Sequence, residues 1–223
     1  LTNADTIDAG AHGSLATDGD VLTATVTGLT ATTGALSIAN VETIDLTNNG
    51  TAVIDATAIT GAAVAINLFA SADTTTVSNL STTATIGLGK TASADQALGT
   101  VTLGLADETG ASDAITVGVN EATSATLKAT AIETVNLVLS TTDTDIAEST
   151  LTVTALNAST INVTGADADV GHTLALGTLD TSTTTLDGSG YKGVLSATAG
   201  AATATTFNLA GTAINDVTGS TGT

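Results

Sequence analysis

The chain contains no cysteine, proline, methionine, tryptophan or arginine, and each absence narrows the choice of fold or function. Without cysteine there is neither a disulfide framework nor a thiolate metal centre. Proline cannot donate to a hydrogen-bonded ladder, so its absence suits a chain whose strands pair on both sides. Lys90, Lys128 and Lys192 are the whole complement of basic side chains, too few for a basic patch, so no nucleic-acid partner is expected. Aromatic side chains are reduced to Phe69, Tyr191 and Phe207. A compact globule of 223 residues draws on aromatic volume for its core. The core here must instead be thin and made of Val, Ile, Leu and Ala, which favours an elongated repeat fold. No apolar run approaches the roughly 18 residues of a membrane span, so no membrane insertion is expected. No signal peptide is expected within the sequence as it stands, which begins at Leu1. The expectation is a single elongated region over residues 1–223, an excerpt of a longer secreted chain.

What is present is equally lopsided. Thr (51 copies) and Ala (40 copies) make up about two in five residues, and Thr, Val and Ile are strand formers. Hydrophobic residues are 42% of the chain and charged ones only 11%, which argues against disorder. Seventeen Asp and five Glu face the three lysines, for a net charge of −19. Ion pairs within the chain can answer three carboxylates at most. Self-repulsion of the rest calls for bound cations or high ionic strength.

Alternation of apolar and polar residues dominates, and helical periodicity is scarce. Strands are predicted at Val21–Val26, Thr43–Leu46, Ala52–Asp55, Val64–Phe69, Thr74–Asn79 and Ala84–Leu88. They continue at Thr100–Leu105, Ala114–Val119, Thr123–Lys128, Glu133–Leu139, Thr150–Thr154 and Thr160–Thr164. The last are Thr173–Leu176, Thr183–Asp187, Val194–Thr198, Thr205–Leu209 and Ala213–Val217. Gly, Asn, Asp or Ser separates them, at a spacing that fits a sandwich, a barrel or a β-solenoid.

Internal echoes lean toward the solenoid. "NVETIDL" around Glu42 returns as "AIETVNL" around Glu133, and "VIDATAITG" (Val53–Gly61) resembles "TLDGSGYKG" (Thr185–Gly193). "TDTDI" (Thr142–Ile146) is echoed by "ADADV" (Ala166–Val170), a displacement of about one coil of two strands and two turns. On that spacing Asp143 and Asp145 stack on Asp167 and Asp169 at about 4.8 Å, where carboxylates repel unless a cation lies between them.

Calcium takes about six to eight oxygen ligands, and Asp-rich turns supply them. The candidate ligands are Asp18 and Asp20 in "TDGDVL", then Asp107, Glu108 and Asp113 in "ADETGASDAI", and the two Asp-x-Asp pairs. "NADTID" at the start is a further Asp-rich turn. The competing reading is that Asp merely favours turns. No EF-hand loop, phosphate loop or nucleophile elbow is present. His12 and His172 are far apart and lack partners at metal or triad spacing. Glu42 and Glu133 share one strand context with no His, Arg or aromatic residue nearby, so they read as markers of a repeated strand. No enzymatic activity is expected.

The run "TDGDVLTATVTGL…GALSIANVETIDLT", followed by "AIETVNLVL", "LNASTINVTGADAD" and "TTLDGSGYKG", resembles the C-terminal region of calcium-dependent S-layer proteins of the Caulobacter type. The closing "INDVTGSTGT" looks like the entry to a calcium-binding nonapeptide array. The resemblance implies an all-β fold, a right-handed parallel β-solenoid with short strands and calcium in its Asp/Gly-rich turns. It also implies type I secretion and assembly into a lattice on a bacterial cell surface. Asp18 and Asp20 match its Gly-x-Asp turn and Asp113 its degenerate nonapeptide. The expected partners are copies of the chain itself, with cell-surface polysaccharide engaged through regions outside it. An adhesin or stalk presenting a ligand-binding surface is the alternative, and a solenoid enzyme domain the more distant one.

Overall fold

The computed structural model describes the chain apart from residues 3, 11–18, 31–35, 61–64, 70, 72, 90–95, 121, 130, 141–148, 155–157, 167–172, 201–205, 210–215 and 219–223. In chain order the strands are β1 (Thr6–Asp8), β2 (Val21–Val26), β3 (Ser37–Ala39), β4 (Thr43–Asn48), β5 (Ala52–Asp55), β6 (Ile59–Thr60) and β7 (Ala65–Leu68). They continue as β8 (Thr75–Leu80), β9 (Thr85–Leu88), β10 (Gln96–Leu105), β11 (Ala114–Val119), β12 (Ala122–Ala129), β13 (Thr134–Ser140) and β14 (Ser149–Thr154). The last are β15 (Thr160–Ala166), β16 (Thr173–Thr178), β17 (Thr185–Tyr191), β18 (Val194–Thr198), β19 (Thr206–Asn208) and β20 (Asp216–Thr218). A short 3-10 turn at Ala56–Ala58 interrupts the pattern.

These strands form a β-solenoid. A nine-stranded sheet runs β19-β17-β15-β13-β11-β9-β7-β4-β2, and an eight-stranded sheet runs β20-β18-β16-β14-β12-β10-β8-β5. The pairings are parallel, for example Thr134 with Thr160 and Leu127 with Val153. From β7 onward successive strands alternate between the two sheets, so each coil gives one strand to each. A third, three-stranded sheet, β1-β3-β6, flanks the first coils.

Among the described residues, seventeen of the twenty strands overlap the alternating segments read from sequence. The three that do not, β1, β3 and β6, are two or three residues long, too short for a period of two to register.

The alternation has a direct packing consequence. Inward residues of the nine-stranded sheet stack as Ile44, Ile66, Ile86, Val117, Leu137 and Val163, one per coil, and all are at most 1% exposed. In the eight-stranded sheet Ile54, Val77, Leu103 and Ala129 do the same. Both columns belong to one apolar core. The core is thin, as the shortage of aromatics requires. Tyr191 lies within it, and Phe207 packs against it from a partly buried position.

Coil length is not constant. Ala65 faces Thr85, whereas Thr85 faces Thr116 on the next coil, a segment half as long again. Part of the extra length lies in the ten-residue β10, whose pairing with β12 shifts register near Ala97.

Candidate functional site

Acidic residues stand at the corners and along the strands, and two chemistries recur among them. In the first, a glutamate at the mouth of a strand turns back to the preceding coil. Glu42 precedes β4 and its Oε2 accepts the backbone N–H of Asp20 at 2.9 Å. Glu133 precedes β13 and its Oε2 accepts the backbone N–H of Asp113 at 2.9 Å. Asp20 and Asp113 each stand just before the strand beneath, β2 or β11, where the ladder has not begun and the N–H lacks a strand partner. In the same rungs the Asp20 carbonyl accepts from Thr43 and the Asp113 carbonyl from Thr134. The duplicated motif is therefore a structural rung, used twice.

In the second chemistry, an aspartate is met by an asparagine from the next coil. Asn79 Nδ2 donates to Asp55 Oδ1 at 3.0 Å, Asn67 Nδ2 to Asp45 Oδ1 at 2.8 Å, Asn208 Nδ2 to Asp187 Oδ2 at 3.1 Å, and Asn40 Nδ2 to Asp8 Oδ1 at 2.8 Å. Three of these aspartates also close a local turn, accepting the N–H two residues on, from Thr57, Ser189 or Gly10. Hydrogen bonds to the ionised form lower a carboxyl pKa. Asn79, then Thr57, lower Asp55. The Ser189 hydroxyl and N–H, with Asn208, lower Asp187. The Gly10 N–H and then Asn40 lower Asp8.

These asparagines were not singled out from sequence. The signal available was an Asn one coil after an Asp, such as Asp55 and Asn79, but in a Thr/Ala-rich chain it stands out only once the coil boundaries are known. The resemblance between "VIDATAITG" and "TLDGSGYKG" has a chemical meaning too. Asp55 and Asp187 both end in this Asp–Asn arrangement, although β5 and β17 belong to different sheets.

Of the predicted calcium ligands, Asp107, Glu108 and Asp113 lie in the corner between β10 and β11, and Asp20 lies at the start of β2. Asp107 is engaged locally: its Oδ1 accepts the Thr109 N–H at 3.0 Å and the Thr109 hydroxyl at 2.7 Å, which lowers its pKa, the hydroxyl foremost. Here the turn-forming reading describes the geometry. Asp113 differs, because its Oδ2 is buried without a hydrogen-bond partner. Asp18, Asp143, Asp145, Asp167 and Asp169 lie outside the described residues, as do both histidines, so the expected stacking of the two Asp-x-Asp pairs does too. The ladders flanking them join Ser140 to Ala166 and Thr150 to Ala175.

No family model matches the chain, and no curated protein or solved structure matches it either. Its chemistry has to be read from its own residues. Among the described residues no three His, Asp or Glu side chains gather into a group that could hold a metal ion. The fit to calcium is partial: Asp113 with its orphaned oxygen, and Glu133 against its backbone, are two carboxylates toward a shell of about six to eight oxygens. Among the described residues, too, no helix is long and apolar enough to cross a membrane.

Proposed function

We propose that this chain is a structural, extracellular module of a bacterial cell surface that assembles with copies of itself, with calcium at its acidic corners stabilising fold and contacts. The observation that carries the reading is the β10–β11 corner, where Asp113 Oδ2 is buried with no donor in a protein of net charge −19 with only three lysines. A cation there would satisfy that oxygen and relieve self-repulsion. Asp107, Glu108 and Glu133 are at hand in sequence or across the rung. Asp20 holds the corresponding place before β2, and Asp18, Asp143, Asp145, Asp167 and Asp169 are the further candidate ligands in the sequence. The S-layer resemblance of the sequence points the same way, and the parallel stacking of coils gives a repeating body suited to a lattice. Glu42 and Glu133 are assigned no catalysis, because each commits Oε2 to a backbone N–H.

Binding to the folded state alone stabilises it by about 2.7 kcal/mol at a hundred times the dissociation constant. Melting of the full chain in millimolar calcium, against the same protein in chelator, is expected to show a higher transition with calcium. Electron microscopy of the calcium form is expected to show sheets or filaments. Identical melting with and without calcium, together with persistent monomers, would overturn the reading.

A further inference from the structure

The outer face of the nine-stranded sheet carries an open groove of about 440 Å³ between β13, β15 and β17. The polar side chains of Asn136, Asn162, Thr164, Asp187 and Ser189 reach it, and with Val163 and Gly190 it also presents apolar surface. Asn136, Asn162 and Asp187 occupy one outward column, directly paired across the strands. Asn208 extends that column on β19.

A β-bulge shapes one wall. Asn162 faces Asp187, but Thr164 faces Gly190, so β17 places two residues opposite one of β15. The extra residue bends the strand and leaves Ser189 and Gly190 exposed at the groove.

The column is only partly self-satisfied. Asn162 Nδ2 donates to Asn136 Oδ1 at 2.8 Å, which leaves the Asn136 amide hydrogens and Asn162 Oδ1 available. Asp187 takes the Ser189 N–H and the Asn208 amide and keeps acceptor capacity, since an ionised carboxylate has about four lone-pair sites. The column thus offers donors at Asn136 and acceptors at Asn162 and Asp187, at the rung spacing of about 4.8 Å.

We infer that this groove binds an uncharged, linear, hydroxyl-rich glycan lying along the solenoid axis. Neighbouring hydroxyls both donate and accept, as the amide and carboxylate rungs require. The four rungs from Asn136 to Asn208 span roughly 14 Å, the length of a short run of pyranose rings. An anionic polymer is disfavoured: no lysine lines the groove, and the protein's net charge is −19. A peptide adding to the sheet needs a free strand edge, and these strands are paired on both sides. With no aromatic side chain to stack on, recognition rests on hydrogen bonds. This inference is independent of calcium and of self-assembly.

The test is titration of the full chain, by calorimetry or amide chemical shifts, with linear hexasaccharides of glucose and of N-acetylglucosamine, and with the hexamer of galacturonic acid. Binding of a neutral hexamer is expected, with shifts confined to β13, β15 and β17. Asn136→Ala and Asn162→Ala are each expected to weaken it at least tenfold. Asn67→Ala, which breaks an Asp–Asn rung outside the groove, is expected to bind as the parent does, and melting curves verify that all three fold. No binding of either neutral hexamer, tighter binding of the galacturonate hexamer, or equal weakening by Asn67→Ala would overturn the inference.

Discussion

Glu133 reaches back one coil to hold the backbone N–H of Asp113 at 2.9 Å, and Glu42 holds that of Asp20 at the same distance. Each bond satisfies a donor at the point where the parallel ladder begins. Glu133→Ala leaves that N–H without its acceptor and is expected to cost about 1–2 kcal/mol. Glu133→Gln keeps a carbonyl oxygen in reach and is expected to cost less. Chemical denaturation of both variants checks the order; equal losses would mean that the bond itself contributes little.

The Asp–Asn rungs make stability depend on acid. Asp8, Asp55 and Asp187 all titrate below the ordinary value of 3.8 in the folded protein. A depressed folded pKa contributes stability that is fully present above the unfolded value and lost as pH falls through the folded one. The melting temperature is therefore expected to be insensitive to these groups from neutral pH to about pH 5, and to fall below about pH 4. Asn79→Ala removes the principal cause of the Asp55 shift. Its Asp55 resonance is expected to titrate closer to 3.8, as side-chain carboxyl NMR would record.

A thin core has little slack. Leu137 is fully buried between Val117 and Val163 of the neighbouring coils, so Leu137→Ala is expected to cost about 2–5 kcal/mol. Val138, its neighbour in β13, points outward and is 37% exposed. Val138→Ala is expected to change stability by no more than about 0.5 kcal/mol. Denaturant midpoints of the pair test whether the column of β-solenoid side chains carries the fold.

Backbone geometry supplies a further contrast. Gly165 has φ +106°, and a Cβ there would collide with the Leu139 backbone on the adjacent strand. Gly177 has φ +66° with open space around it. Gly177→Ala is expected to cost about 1–2 kcal/mol from the left-handed conformation alone. Gly165→Ala adds the collision and is expected to lower the melting temperature markedly more.

Much of the architecture was legible in the sequence because strand signals are local. "AITVGV" alternates, and it becomes β11 over the same residues, Ala114–Val119; β2, β5 and β18 likewise keep their predicted bounds. The flanking short sheet was not legible. "SIA" became β3 only because β1 and β6 lie beside it. The Glu42 and Glu133 motif was recognisable as a repeat, but its purpose was not, since its partner is a backbone group on another coil.

The acidic corners divide in the same way. Composition alone determined that 22 carboxylates face three lysines, and alternation determined narrow layers of Val, Ile and Leu. Only the tertiary structure decided which carboxylate meets what. Asp55 finds Asn79, Asp187 finds Asn208, Asp107 turns onto its own Thr109, and Asp113 keeps a buried oxygen open. The physical reason is that strand alternation is written in adjacent residues. A partner one coil away depends on the length of the intervening corner, which varies from coil to coil and leaves no fixed period to read.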